Sequence, residues 1–144
     1  MRATRALLLL SLIAVAMLAG CAAPPLPPDE VTAKEPPGSA YVKACTVADL
    51  PCFLPGLGTL YVRPATLPAG PFQAYDRNGD LVSTIYMVPI AEFERHEKRD
   101  GLASSPLPVT FVDVYYNAGH PGVPVPHYHI VLWHVSREQA LKLE

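Results

Sequence analysis

Five short segments of the chain have the apolar pattern of β-strands, rich in β-branched and aromatic residues. They are residues 58–63, 70–76, 81–88, 109–117 and 127–135. Between the second and the third of these segments the sequence contains Asn78-Gly79, a pair that tolerates the positive φ angles of a tight turn. The pattern therefore predicts a β-hairpin that joins 70–76 to 81–88.

Helical spacing is found at two places. Pro89 precedes the sequence IAEFERHEKRDG, in which Ile90 and Phe93 recur one turn apart and Gly101 marks an end. Further on, a serine at position 136 is followed three residues later by a glutamine, a capping-box pattern that predicts a helix through residue 143. Five strands and two short helices indicate an α+β fold, built as a small, mainly antiparallel β-sheet or as a sandwich.

The first residues follow a different pattern. Arg2 and Arg5 come before an apolar run of twelve residues, 6–17, and small residues follow the run. As a helix the run would be about 18 Å long, against about 30 Å for the hydrocarbon core of a bilayer. A basic start, a short apolar core and a small-residue exit are typical of an export signal. Residues 1–20 are therefore predicted to be a signal peptide.

The segment Leu18-Ala19-Gly20-Cys21 resembles the lipobox of bacterial lipoproteins. The resemblance implies that Cys21 receives a diacylglycerol thioether, together with acyl chains such as palmitate, and becomes the first mature residue. Such a lipid would attach the protein to a membrane of the cell envelope, facing the periplasm. Ala22 stands where lipoproteins kept at the inner membrane have Asp, which favours the outer membrane. An ordinary signal peptide or membrane tether with an incidental cysteine is the alternative.

Composition limits what the rest of the chain does. Without residues 1–20 the chain has nine basic and thirteen acidic side chains, a net charge of −4, which argues against nucleic acid as a partner. Residues 21–40 hold six prolines and no aromatic residue, and this composition predicts a semi-extended tether after the lipidated cysteine. All the aromatic residues lie from Tyr41 onward, so 41–144 is predicted to be a single globular domain.

Two further cysteines, Cys45 and Cys52, lie close together in the sequence. In an oxidising compartment such a pair is expected to form a structural disulfide. Closing a loop of about eight residues would stabilise the fold by about 2.5 kcal/mol. Free thiols and catalytic thiols are the alternatives, although Pro51 stands where the activating helix of a redox-active pair would begin.

Four of the five histidines, 120, 127, 129 and 134, lie within fifteen residues. Alternate side chains of a strand share a face, so His127 and His129 project together, about 6.5 to 7 Å apart at their bases. His120, in the loop AGHPGVPVP, could supply a third nitrogen to a metal site that stays open to water or ligand. The ion would be a transition metal such as Zn, Cu or Fe.

Two other side chains are additional candidates for this site. His134 is an odd number of residues from His127 and His129, so its side chain would lie on the opposite face of the strand. It would need a β-bulge to join the others. Met87 could add a soft thioether ligand that favours copper, but a methionine in a strand is ordinarily core filler. His96 lies in the charged run RHEKRDG and is expected at the surface.

The histidines also have a purely structural interpretation. Apolar residues occupy both faces of 127–135, which predicts a strand buried on both sides. Histidines at its entrance could simply make hydrogen bonds to backbone carbonyl groups or to Tyr115, Tyr116 or Asp113 across the hairpin.

Two resemblances concern the domain itself. The His-x-His strand resembles the first metal motif of cupins, although Trp133 and His134 stand where cupins have a glutamate and few residues remain for their second motif. The segments LPAGPFQAYDRNGDLVSTIYMVP and GHPGVPVPHYHIVLWHV together resemble small uncharacterised bacterial envelope proteins with a Pro-His-aromatic strand near the end. Some of those proteins have Asp in place of His129, so this resemblance supports His127 more than His129, and it implies no known activity.

The sequence thus predicts a lipid-anchored, non-enzymatic envelope protein that binds a metal ion or small ligand near its C-terminal histidines. A structural or partner-binding lipoprotein with structural histidines is the first alternative, and a small metalloenzyme is the second. Hydrolase chemistry is disfavoured because Ser104 and Ser105 lack a base and an oxyanion arrangement. Phosphate loops, haem-attachment pairs and dinucleotide fingerprints are absent from the sequence.

Overall fold

The structure is a computed structural model that describes residues 30–102 and 105–144. The predicted signal peptide, Cys21, the first part of the tether and Ser104 lie outside the described residues. The described part of the chain contains two short α-helices, two 3₁₀ turns and seven β-strands. The strands are β1 (Val42–Lys43), β2 (Phe53–Leu54), β3 (Gly58–Val62), β4 (Phe72–Tyr75), β5 (Leu81–Pro89), β6 (Phe111–Asn117) and β7 (His127–Trp133), and the helices are α1 (Ile90–Glu94) and α2 (Arg137–Ala140).

All seven strands belong to one antiparallel sheet with the order β1-β3-β4-β5-β7-β6, and β2 also pairs with β3. This confirms a small antiparallel sheet with two short helices, whereas a second sheet, as in a sandwich, is not seen in residues 30–102 and 105–144. The count of five strands was too low. Strands β1 and β2 have two residues each, which is too short to show the alternation that identifies a strand in a sequence.

The predicted hairpin is confirmed as β4 and β5, with Phe72 opposite Ile85 and Ala74 opposite Ser83. At its turn, Gly79 has a φ of 74°. The side chain of Asp76 stabilises the turn by accepting hydrogen bonds from the backbone N–H groups of residues 78 and 80, at 2.8 and 2.9 Å.

The histidine-bearing strand β7 is an inner strand of the sheet. It pairs with β5 on one side, where Met87 lies opposite His129, and with β6 on the other, where Tyr115 lies opposite His129. The loop 118–126 connects β6 to β7. Both strand-borne histidines are therefore fixed by two backbone ladders.

Both helices form where the sequence predicts them, but they are shorter. Helix α2 has the expected capping box: the Ser136 hydroxyl accepts from the backbone N–H of Gln139, and the Gln139 side chain accepts from the backbone N–H of Ser136. Helix α1 ends near Arg95 because His96, which is exposed as predicted, adopts a left-handed φ of 56°. No helix within the described ranges has the length and apolar character needed to cross a bilayer.

The main core covers one face of the sheet and includes Phe72, Ile85, Val131 and Trp133. Strand β7 alternates regularly between this buried face and a more exposed one. The expectation that β7 is buried on both sides was wrong: Tyr128 is 37% exposed, and Ile130 and Leu132 are only half-buried. In the described part of the chain, this outer face at the β6–β7 end is only partly covered.

Residues 31–38, which composition placed in the tether, pack against the sheet. Val31 is buried in a second cluster with Tyr41, Tyr61, Tyr75 and Leu81. Backbone hydrogen bonds from Glu35 N–H to the Gly79 carbonyl and from Leu81 N–H to the Ala33 carbonyl, of 2.8 and 3.0 Å, attach the segment to the β4–β5 turn. The packed part of the chain therefore includes residues well before Tyr41.

Cys45 and Cys52 form a disulfide, as predicted, with their Cα atoms 4.9 Å apart. The bond closes the loop between the first 3₁₀ turn, Ala44–Thr46, and β2. This geometry favours the structural disulfide over the alternatives of free or catalytic thiols.

Candidate metal centre

Three of the predicted site histidines meet at one end of the sheet. His127 and His129 come from β7 and His120 from the loop before it. The Nε2 atoms of His127 and His129 are 2.9 Å apart, and those of His120 and His129 are 3.3 Å apart. His127 is fully buried, His129 is 5% exposed and His120 is half-buried. The structure thus brings together the three predicted residues, two from one face of a strand and one from the preceding loop.

Backbone carbonyl groups fix the tautomers of two of these rings. The Nδ1 atom of His127 lies 2.7 Å from the Val125 carbonyl oxygen, and that of His120 lies 2.9 Å from the Pro121 carbonyl oxygen. A carbonyl oxygen only accepts hydrogen bonds, so both Nδ1 atoms carry a proton, and in the neutral form of each ring it is Nε2 that presents the lone pair. The structural interpretation is therefore correct about these contacts, which are also the contacts that orient histidine ligands in metal sites.

His129 is the central ring of the cluster. Its pKa is lowered from the ordinary 6.5 to about 4, first by burial and then by the neighbouring imidazoles of His127 and His120. The ring stacks on Tyr115 with centroids 4.9 Å apart, and its buried Nδ1 has no hydrogen-bond partner among the described residues. His129 is consequently held neutral, the only form in which imidazole coordinates a metal.

Two of the three distances between the ligand nitrogens match those around a metal ion, and all three nitrogens lie within 4.8 Å of one another. With metal–nitrogen bonds of about 2.0 to 2.1 Å, ligand nitrogens at angles of about 90° to 110° lie about 2.9 to 3.4 Å apart. The two measured Nε2 separations, 2.9 and 3.3 Å, fall in this range. Three imidazole nitrogens without a carboxylate suit zinc, copper, nickel or iron and leave coordination positions open.

The loop that carries His120 is held in place locally. His120 and Val123 exchange two backbone hydrogen bonds of 3.0 and 2.9 Å, and Val123 is buried in the main core. Gly119 has a φ of 126°, and a Cβ there would lie 2.8 Å from the Pro124 carbonyl oxygen. The backbone N–H of Gly119 donates to the Asn117 side chain at 2.8 Å. These contacts position the third imidazole.

The other candidates lie differently. His134 is not in the cluster: its Nε2 lies 3.0 Å from Thr84 Oγ1 and its Nδ1 lies 3.1 Å from the Pro108 carbonyl oxygen. No bulge reverses its parity, because the pairing of β7 is regular through Trp133. Met87 is buried directly opposite His129, and its role as a ligand stays a prediction.

Of the three expected hydrogen-bond partners across the hairpin, only Tyr115 contacts the histidine cluster in the described contacts, and it does so by stacking on His129. Asp113 instead accepts hydrogen bonds from Trp133 Nε1 and Arg137, at 2.9 and 3.3 Å. Tyr116 points to the opposite face, where it packs edge-on against Tyr128. The expectation for these two residues was wrong because the β6–β7 register places Asp113 beside Val131, and Tyr116 beside Tyr128.

Sequence reasoning missed an apolar cavity of about 370 Å³ that has His120 and His129 in its lining. Much of its wall comes from residues 44–57, a segment with no regular strand or helix pattern. The lining consists of Ala44, Val47, Ala48, Asp49, Leu50, Pro51, Leu54, Leu57, Leu60, Leu67, Phe72, Met87, Tyr115, Asn117, His120, Pro121, Gly122, Val123 and His129. Only the density of leucines in 50–60 could have indicated it.

No protein-family model and no curated protein matches this chain. The crystal structure of hypothetical protein TTHB210 from Thermus thermophilus does match, with 44% sequence identity and a TM-score of 0.59. The match covers 65% of this chain and 92% of that protein. A hypothetical protein carries no activity to compare, but identity and coverage at this level establish common descent. The chain therefore belongs to the same family as TTHB210.

Proposed function

We propose that this protein is a lipid-anchored protein of the bacterial envelope that binds one transition-metal ion through His120, His127 and His129. The observation that carries the metal site is the convergence of three imidazole rings whose ligand nitrogens lie within 4.8 Å of one another. His129 Nε2 lies at ligand spacing from the Nε2 atoms of both other rings, and backbone carbonyl groups orient those two rings through Nδ1. Nitrogen ligands fixed before the ion arrives lose little conformational freedom when they bind it.

A binding role is favoured over a catalytic one. Asp49 is the only carboxylate among the described residues that line the adjoining cavity, and it is exposed. A metalloenzyme of this type ordinarily positions an acid or base beside the metal-bound water. Besides Asp49, the described lining offers the histidines that would hold the ion and Tyr115, whose ring stacks on His129 and whose pKa is raised by burial.

The lipid anchor rests on the resemblance of Leu18-Ala19-Gly20-Cys21 to a lipobox. Nine residues separate Cys21 from Val31, which lies at the start of the described chain and packs against the sheet. Such a segment reaches at most about 36 Å. An acylated Cys21 would therefore hold the metal-binding domain close to the membrane surface.

The metal site is tested by calorimetric titration of chelator-treated protein with Zn, Cu, Ni and Fe. We expect one site per chain with a dissociation constant tighter than about 10 μM. Substituting His127→Ala should weaken binding more than His120→Ala, because His127 is fully buried on an inner strand whereas His120 is half-buried on a loop. His120→Ala should weaken binding without altering the sheet. His134→Ala and His96→Ala are the matched controls, since both histidines lie outside the cluster.

Circular dichroism of each variant separates loss of a ligand from loss of the fold. If no metal binds more tightly than about 10 μM, or if folded His127→Ala binds as well as the unaltered protein, the proposal is wrong and the structural interpretation of the histidines stands.

A further inference from the structure

The apolar cavity beside the histidine centre has the size of a small-molecule site. Its volume is about 370 Å³, within the range of about 300 to 1,000 Å³ found for ligand pockets. At about 30 Å³ for each non-hydrogen atom, as in liquid water, it would hold about twelve such atoms. His120 and His129 contribute to its wall, so a molecule in the cavity would lie against the proposed metal site.

The walls of the cavity are largely preformed. One wall is the loop closed by the Cys45–Cys52 disulfide. Another is the histidine-bearing loop, which contacts the first closely, because a Cβ on Gly122 would lie 3.1 Å from the Ala48 Cβ. Strands β3 to β5 supply Leu60, Phe72 and Met87, all buried in the core. A ligand would therefore bind with little ordering of the protein, which favours affinity.

The charges around the cavity indicate what its ligand must be. None of the described lining residues is Lys or Arg, and Asp49 is the one side chain in the described lining with a formal charge. Without a metal, an anionic group would lose hydration in this cavity and gain no opposite charge. A divalent ion held by three neutral imidazoles keeps its full positive charge and an open coordination position.

We propose that the cavity binds a small carboxylate with an apolar tail, whose carboxylate coordinates the metal ion while the tail occupies the cavity. This inference rests on the metal site proposed above. Among the described lining residues no side chain supplies a compensating positive charge, so the metal would supply it, and the leucine-rich wall supplies the surface that removes the tail from water.

The test uses octanoate, with ten non-hydrogen atoms, titrated calorimetrically into zinc-loaded and chelator-treated protein. We expect binding to the zinc-loaded form at least tenfold tighter than to the metal-free form. Octan-1-ol, which has the same tail but no charge, should bind both forms equally. In cobalt-substituted protein, octanoate should change the visible absorption bands of the ion and octan-1-ol should not.

A variant separates the cavity from the metal. Leu57 lines the cavity and is only partly buried, so Leu57→Trp should fill the space and abolish octanoate binding while leaving zinc affinity unchanged. Leu102→Trp, an exposed position away from this cavity, should affect neither.

The outcomes distinguish the two proposals. If zinc binds as proposed but octanoate binds equally with and without it, or not at all, the carboxylate inference is overturned and the metal site stands. If neither zinc nor cobalt binds, the metal site fails and the inference fails with it. Unchanged octanoate binding by Leu57→Trp would also overturn the inference, because the tail would then lie elsewhere.

Discussion

Acid should destabilise the metal-free protein through His129 in particular. The folded state lowers the pKa of this residue from 6.5 to about 4. The unfolded chain therefore takes up this proton first as the pH falls. The contribution of the neutral ring to stability is complete above about pH 6.5 and is lost progressively down to about pH 4.

The size of the effect follows from the two pKa values. The difference between pKa values of 6.5 and about 4 corresponds to about 3 kcal/mol when the titration is complete. At pH 5, where the folded protein is still mostly unprotonated at His129, the loss relative to pH 7.5 is about 2 kcal/mol.

Urea unfolding at pH 7.5 and pH 5.0, in the presence of a chelator, measures the loss. The fluorescence of Trp133 reports it, since Trp133 is the sole tryptophan and is buried in the core. The matched variant is His129→Gln, which cannot titrate, and its loss on acidification should be smaller by about 2 kcal/mol. His96→Gln, at an exposed position, should behave like the unaltered protein.

Comparing variants removes the contributions to acid sensitivity that all of them share. One of these comes from His134, because burial also lowers the pKa of that residue. If His129→Gln lost as much stability between the two pH values as the unaltered protein, the reasoning would be refuted, and the buried imidazole would not be the source of the acid sensitivity.

Two further predictions concern the cysteines. Mass spectrometry of the mature N-terminal peptide should find lipid on Cys21, and Cys21→Ser should prevent its attachment; an unmodified Cys21 or an intact Met1 would contradict the lipoprotein assignment. Replacing both Cys45 and Cys52 with Ser should lower the free energy of unfolding by about 2.5 kcal/mol, because the unfolded chain regains the entropy of the open loop. Alkylation of both thiols in unreduced protein would show that the disulfide does not form.

The sequence predicted the parts of the fold that depend on local rules. Asn78-Gly79 placed the β4–β5 hairpin, and the spacing of Ser136 and Gln139 placed the capping box of α2. The period of two in a strand put His127 and His129 on one face and His134 on the other. Each of these features is decided by residues only a few positions apart.

The remaining features depend on distant parts of the chain. Val31 is buried because Tyr61, Tyr75 and Leu81 provide a surface for it. The proline-rich sequence around Val31 contains no pattern that predicts this contact. The outer face of β7 is only partly covered by the described chain, although its residues are as apolar as those of a buried strand. The cavity likewise results from the packing of two irregular loops against the sheet.

The position of β7 between β5 and β6 has a kinetic consequence for the proposed metal site. Moving His127 or His129 away from the ion requires breaking two ladders of backbone hydrogen bonds. His120 can move away when its two backbone hydrogen bonds to Val123 break. Local opening of a loop costs much less free energy than opening an inner strand. A bound ion would therefore leave stepwise, and it would lose His120 first while His127 and His129 still hold it. The lifetime of the ion on the protein would then be set by fluctuations of the loop and not by unfolding of the sheet.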